Sequence, residues 1–246
     1  MSNSKEKQIL AFDYDQVWAN EWEDMKKYGP ASRHIRRIIR EIMRSLDFDS
    51  VLDVGCGQGS FLQELLTEFP TIRPGGIDVS SEAVELARAK VPKGQFWVLD
   101  IEKEGLEESF DLVVCSEVLE HIPDDVSALK NLYRMTKKYL LVSTVQGRMR
   151  RFEAKEVGHV RNYAPGELVR KTEEAGFKVS RVLQWGFPFY SPLYRNLLEL
   201  TGARGTTGEF GVVRRMVSLL LYSLFRLNSS NRGDEIFVLA EPLRHV

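Results

Sequence analysis

From residue 50 onward the chain alternates short, almost wholly apolar runs with amphipathic stretches of helical period. Val51–Val54, Gly76–Val79, Gln95–Leu99, Asp111–Cys115 and Tyr139–Ser143 have the length and bulk of buried strands. Between them the period becomes helical near 59–69, 80–90 and 124–136, the last opening on the helix-start signal Pro123-Asp124-Asp125. Such alternation predicts βαβ units and a mostly parallel sheet with helices on both faces. A polar, basic loop over 146–164 then leads into a helix starting at Pro165 and stopped by Gly176. Phe177–Leu183 reads as a sixth strand and Glu235–Ala240 as a seventh. Ahead of the sheet, residues 31–46 have helical period. Ile35, Ile38, Ile39, Ile42 and Leu46 take one face, and Arg33, Arg36, Arg37, Arg40 and Arg44 share the other.

About fifty residues separate the sixth and seventh strands, too many for an ordinary loop. Two helices are predicted there, near 191–201 and 211–227, in a stretch rich in aromatics and arginine. The organisation is therefore an N-terminal helical cover (1–46), a core domain (47–185 plus 234–246) and a helical insertion (186–233).

Composition narrows the class. The 246 residues carry 34 Lys plus Arg against 35 Asp plus Glu, a net charge of −1, which argues against DNA as a partner and disfavours RNA. That neutrality is a cancellation: segments 31–46, 147–161 and 186–233 carry +4, +3 and +4, so an anionic acceptor or an anionic surface is expected near them. Cys56 and Cys115 are too few for a disulfide framework or a cysteine zinc site. The polar start MSNSKEKQ has no apolar signal core, and a cytoplasmic location is expected. The longest apolar run, Met216 to Phe225, would span only about 15 Å as a helix, half a bilayer core.

The chemistry concentrates at VLDVGCGQG, residues 51–59, where a buried strand enters a glycine turn and then a helix. Gly55, Gly57 and Gly59 allow a tight turn and let a ligand lie against the backbone, at the strand ends where open α/β sheets bind ligands. Asp78 ends the second strand nineteen residues later, where a carboxylate can accept from both hydroxyls of a ribose. A dinucleotide fingerprint would need glycine at position 60, which is Ser60, and no G-x-x-x-x-G-K-[ST] loop is present.

The G-x-G-x-G turn after Asp53 resembles the signature of class I S-adenosylmethionine (SAM)-dependent methyltransferases, notably the small-molecule and ubiquinone-pathway O-methyltransferases. GIDVS (76–80), VLDIE (98–102) and SFDLVVCSEVLEHIPD (109–124) are similar to further blocks of that family. The resemblance implies a Rossmann-like seven-stranded sheet of order 3-2-1-4-5-7-6 and SAM as cofactor. It also implies that Gly55, Cys56, Gly57 and Gly59 border the methionine part of SAM, with Asp53 organising the loop. Asp78, with Val79, would take the ribose; Asp100 and Ile101 would frame the adenine; Ser116 would sit beside the sulfonium-bearing chain. Arg33, after Gly29-Pro30, is the equivalent of an arginine that meets the cofactor's carboxylate in similar quinone-pathway enzymes.

An oxygen acceptor needs a base. His34, on the basic side of the first helix, is expected to be exposed, and His245 is terminal and solvated. His121 and His159 follow the fourth and fifth strands, on the ligand rim. If the turn after strand four is helical, Glu117, Glu120 and His121 share one side. Three readings stay open: hydrogen-bonded groups that shape the site, an acid/base role for His159 or His121, and a divalent metal held by Glu117, Glu120, His121 and His159. Similar Glu-x-x-Glu-His clusters occur in ubiquinone-pathway and small-RNA 3′-end methyltransferases.

The chain lacks the [DNS]-P-P-[FYW] block that resembles amino-group methylation and the Pro-Cys nucleophile of cytosine-C5 enzymes. A small-molecule or lipid-like acceptor methylated at oxygen is expected; an RNA-end methyltransferase and a non-catalytic partner protein of the same fold are the alternatives. VVRRMVSLLLYSLFRL (212–227) suits a helix packed on the core, a homodimer contact, or a peripheral contact with an anionic membrane.

Overall fold

The computed structural model describes residues 23–202 and 208–244; His245 and the chain start lie outside them. Two cover helices, α1 (Glu23–Tyr28) and α2 (Pro30–Met43), lead into β1 (Ser50–Val54), α3 (Ser60–Glu68), β2 (Arg73–Asp78), α4 (Ser81–Lys90) and β3 (Gln95–Val98). Then come β4 (Phe110–Ser116), a short 3₁₀ turn (Leu119–His121), α5 (Asp125–Met135), β5 (Thr136–Val145), α6 (Glu167–Glu174) and β6 (Phe177–Trp185). The insertion supplies α7 (Arg195–Thr201) and α8 (Val212–Phe225) before β7 (Glu235–Pro242).

The seven strands form one sheet of order β3-β2-β1-β4-β5-β7-β6, as the family resemblance implied. β1 to β5 pair in parallel, and β7 runs antiparallel between β5 and β6. Alternation along the central strands splits the core into two layers. Val51, Leu112, Val114 and Leu141 face a layer shared with α2, α3, α4 and Phe225 of α8. Leu52, Val54, Val113, Cys115, Leu140 and Val142 face the layer under α5 and α6. Parallel register aligns the carboxyl ends of β2, β1, β4 and β5, pairing Val54 with Ile77 and with Cys115, and Ser116 with Ser143.

Three expectations are corrected. The stretch expected to be a loop, 146–164, contains a π-helical turn at Glu153–Val157. Buried Glu153 holds it: its carboxylate accepts from Arg150 N at 2.7 Å, Asn162 Nδ2 at 3.0 Å and Arg195 Nε at 3.0 Å. The helix expected from 191 is interrupted at its start: Ser191, just before Pro192, is extended at φ −130° and ψ 117°, as proline imposes on the residue ahead of it. Finally, His34 is fully buried, stacked 4.3 Å from Tyr222 and 5.1 Å from Trp185, with its Nε2 2.8 Å from Tyr222 O. The helix expected to show a basic face to water is covered by α8 on one edge.

Candidate active site

Gly55, Gly57 and Gly59 all have positive φ, and the turn they make lies under Val118. A Cβ on Gly55 would stand 2.3 Å from Val118 Cγ2, so only glycine fits there. Gly57 N donates to Asp78 Oδ2 at 2.8 Å, and Ser80 N donates to Asp78 Oδ1 at 3.0 Å. Each Asp78 oxygen thus accepts from the backbone, and a carboxylate's remaining lone pairs stay open to a ligand. Burial raises the Asp78 pKa, and these backbone bonds pull it back. Asp53 is buried too; desolvation, followed by the Asp78 charge, pushes it up to about 8, opposed by Lys26 and Arg36. Burial, then the two aspartates, raises Cys56 well above the usual thiol range, so it stays a thiol and packs as an apolar wall.

Two cavities open over the strand ends. The smaller, about 220 Å³, is lined by Asp78, Val79, Asp100 and Ile101. Asp100 is fixed by the N–H of Glu102 at 3.0 Å and by Lys103 at 2.9 Å, and Asn131 holds the Ile101 carbonyl at 2.8 Å. The larger, about 690 Å³, has Asp53, Ser116, Glu117, Glu120, His121 and His159 on its floor and apolar side chains of α2, α7 and α8 around it. Lys26, Gly55, Glu117 and His121 border both cavities.

Arg33 is not among the cavity residues. Ser32, Ile35, Arg36 and Ile39 form the edge of α2 that lines the larger cavity, whereas Arg33 lies towards α8, its guanidinium 4.0 Å from the centre of the Tyr222 ring. Arg36, three residues on, and Lys26 of α1 bring the positive charge instead. Ordinary periodicity could have flagged Arg36 as a neighbour of Ile35 and Ile39; no pattern in the sequence marked Lys26. Glu235, at the head of β7, was also missed; it is buried, and desolvation followed by the Glu117 charge raises its pKa well above the carboxylate range.

Glu117, Glu120 and His121 do not share a helical face. Glu117 has φ +56°, the only positive value among the described non-glycine residues, and the turn after it is 3₁₀. A left-handed glutamate costs about 1–3 kcal/mol, a strain that concentrates at functional sites. Glu120 is fully buried: Oε2 accepts from Thr144 Oγ1 at 2.7 Å, while Oε1 has no hydrogen-bond partner. Desolvation, then Glu117, raises its pKa. His121 Nδ1 is 3.2 Å from Gly158 O and must donate to it; His159 Nδ1 lies 3.3 Å from Asn162 Oδ1. Those bonds leave each Nε2 as the acceptor nitrogen. Burial, then the neighbouring imidazole, lowers His121 to about 3, and burial lowers His159. The rings stand edge to face, 4.8 Å apart.

The positive segments are largely answered within the fold. Arg36 pairs with Glu64 at 3.0 Å, Arg37 with Glu41 at 2.7 Å, and Arg44 with Glu68. Arg195 pairs with Glu153 and Asp234. Much of the positive charge of α2 is thus shared with acids of the fold.

A glycine turn after β1, carboxylates ending β2 and following β3, and a seventh strand reversed into the sheet make one arrangement, and the family description "Methyltransferase domain" matches residues 52–138. Residues 52–138 of this chain are thus similar to a methyltransferase domain. The chain is 32% identical over 108 residues to a trans-aconitate 2-methyltransferase of Enterobacter, covering 44% of this chain and 41% of that protein. To a ubiquinone biosynthesis O-methyltransferase of Paracidovorax citrulli it is 32% identical over 133 residues, covering 50% and 54%. The matches thus span about half the length, or less, of these curated relatives. The N-methyltransferase NodS of Bradyrhizobium japonicum, solved with S-adenosyl-L-homocysteine, superposes with a TM-score of 0.57 at 16% identity, covering 97% of this chain and 96% of that one, which shows the shared fold. Helices outside the matched residues, in the cover and the insertion, wall the larger cavity.

Proposed function

We propose that the protein methylates an oxygen of a small-molecule or lipid-like acceptor held in the larger cavity, with SAM in the smaller one and across the glycine turn. The observation that carries this is the junction: Gly55, Glu117 and His121 border both cavities, where a donor and an acceptor would meet. When bound, SAM supplies a methyl group on a sulfonium, which leaves by in-line displacement, a step governed by positioning. Asp78 would hold the ribose hydroxyls and Asp100 the adenine end. Lys26 and Arg36 would face the methionine carboxylate, in the place first assigned to Arg33. The cover helices, which line the larger cavity, would limit water at the junction. His159 would take the acceptor's proton at Nε2, its other nitrogen fixed by Asn162.

A second reading rests on the unpartnered Glu120 Oε1. Glu120, His121 and His159 offer one oxygen and two imidazole nitrogens within 4.8 Å of one another, a donor set that suits a divalent cation. Such an ion would polarise the acceptor hydroxyl. Metal analysis after desalting, with Glu120→Gln as control, separates the readings: retained metal, lost in the variant, favours the second.

Calorimetric titration tests the cofactor assignment directly. Asp78→Ala should weaken SAM binding by about a hundredfold, the worth of two hydrogen bonds to a charged group. Asp78→Asn keeps an acceptor for the loop and should lose less. Unchanged affinity in Asp78→Ala would overturn the placement, and label from methyl-labelled SAM appearing in no lipid or metabolite fraction would count against turnover.

A further inference from the structure

The fold uses one side of α8 and the edge that carries Tyr222 and Arg215. Ser218 and Phe225 are buried, and the Ser218 hydroxyl donates to Tyr28 O. The opposite arc presents Val212, Met216, Leu219, Leu220 and Leu227, all between 56% and 76% exposed. Scattered surface leucines are ordinary, but a contiguous apolar arc along a helix about 21 Å long marks an interaction face. Arg215 and Arg226 stand eleven residues apart, three helical turns, on one edge of that arc; Arg215 reaches Asp24 at 3.8 Å and lies over the Tyr28 ring, yet stays half exposed. Helix α8 contains no acidic residue.

The same face adjoins the larger cavity. Leu197 of α7 and Val213 and Val217 of α8 line that cavity and are 52%, 73% and 49% exposed, so its rim is apolar and continuous with the arc.

We propose that this face docks on an anionic lipid bilayer, with α8 lying flat in the headgroup layer and the cavity rim facing the acyl chains. Leucine, valine and methionine would supply the apolar burial, and the edge arginines would meet lipid phosphates. A second copy of the chain suits the face less well. A twofold contact would set the arginine edge of each α8 close to its own copy and would cover the cavity rim. Given the methyltransferase reading, the docking also defines the substrate class: an acceptor with an apolar tail, which reaches the floor of the cavity from the bilayer without crossing water.

Vesicle flotation of the full chain tests this, using phosphatidylcholine vesicles with and without phosphatidylglycerol at low and high salt. The chain should float with the anionic vesicles, several-fold less at high salt, and little with the neutral ones. Met216→Glu combined with Leu220→Glu should lower bound protein by about tenfold or more. SAM binding and the melting temperature should hold, because neither side chain lines a cavity. Absence of flotation with anionic vesicles at low salt, or undiminished flotation of the double variant, would overturn the proposal. So would a dimer that the double variant converts to monomer without vesicle binding. Intact, salt-sensitive flotation in a chain that fails to bind SAM would uphold the docking and overturn the reading of the cavity.

Discussion

Helix α2 turns four isoleucines inward and commits Arg36, Arg37 and Arg40 to acids on its own surface and on α3, and its two flanking edges meet the cavity on one side and α8 on the other. Helix α8 has a comparable stock of branched and basic residues, yet it buries a narrow strip and leaves its widest apolar arc outside. The difference lies in what each helix packs on. Helix α2 sits on the sheet layer, where its isoleucines join Leu62, Leu65 and Val84. Helix α8 is a second layer above it, contacting α2 and α1, and beyond it the described residues place nothing. Similar composition thus makes a structural brace in one case and an interaction face in the other.

The comparison breaks most easily at its apolar positions. Ile39 is 1% exposed in the heart of the core, so Ile39→Ala should cost about 2–5 kcal/mol through lost burial and the cavity it leaves. Leu220→Ala, at a position 70% exposed, should stay within about 0.5 kcal/mol. Urea unfolding of both variants checks this. A large cost at Leu220 would mean that α8 is packed on both sides.

The next test is at the contact between the two helices. His34 of α2 meets the Tyr222 carbonyl of α8, and burial first, with nearby Arg37 and Arg33 acting the same way, lowers its pKa to about 4. The unfolded chain binds a proton near pH 6.5 while the folded chain resists until about 4. Stability from this group is therefore full above 6.5 and lost as pH falls through that window. The loss should be on the order of 3 kcal/mol at most, and His34→Gln, which cannot titrate there, should lack that part of the pH dependence. Identical pH profiles of unfolding free energy would remove the assignment.

How much of this was legible in the sequence divides along the same line. The cofactor half comes from one contiguous turn and from residues at or just past the ends of adjacent parallel strands, so spacing placed Gly55 and Asp78, and the family resemblance Asp100, around one cavity. The larger cavity draws Lys26, Arg36, Tyr190, Arg195 and His159 from segments far apart in the chain. Periodicity identified the buried face of α2, but it could not say which edge meets the cavity and which meets α8. Arg33 and Arg36 differ by that alone, and His34 was misread for the same reason. The left-handed turn at Glu117 was invisible because glutamate carries no turn preference to betray it.

The smallest expected effect concerns how firmly α2 holds its charge. Arg36 Nε donates to Glu64 Oε1 at 3.0 Å and its Nη1 to Lys26 O at 2.7 Å. The Arg36 side chain is 11% exposed and that of Glu64 35%, so solvent screens the pair only in part. Glu64→Gln leaves a hydrogen-bond acceptor and the Lys26 carbonyl in place, and it should cost about 0.5–1 kcal/mol, less at high salt. SAM affinity should change by no more than a few-fold, since the bond to Lys26 O still anchors the guanidinium beside the cavity. A loss of tenfold or more in SAM affinity with stability unchanged would reverse the argument. Glu64 would then act through Arg36 on the site, and its ion pair would serve to aim the guanidinium rather than to brace the helix.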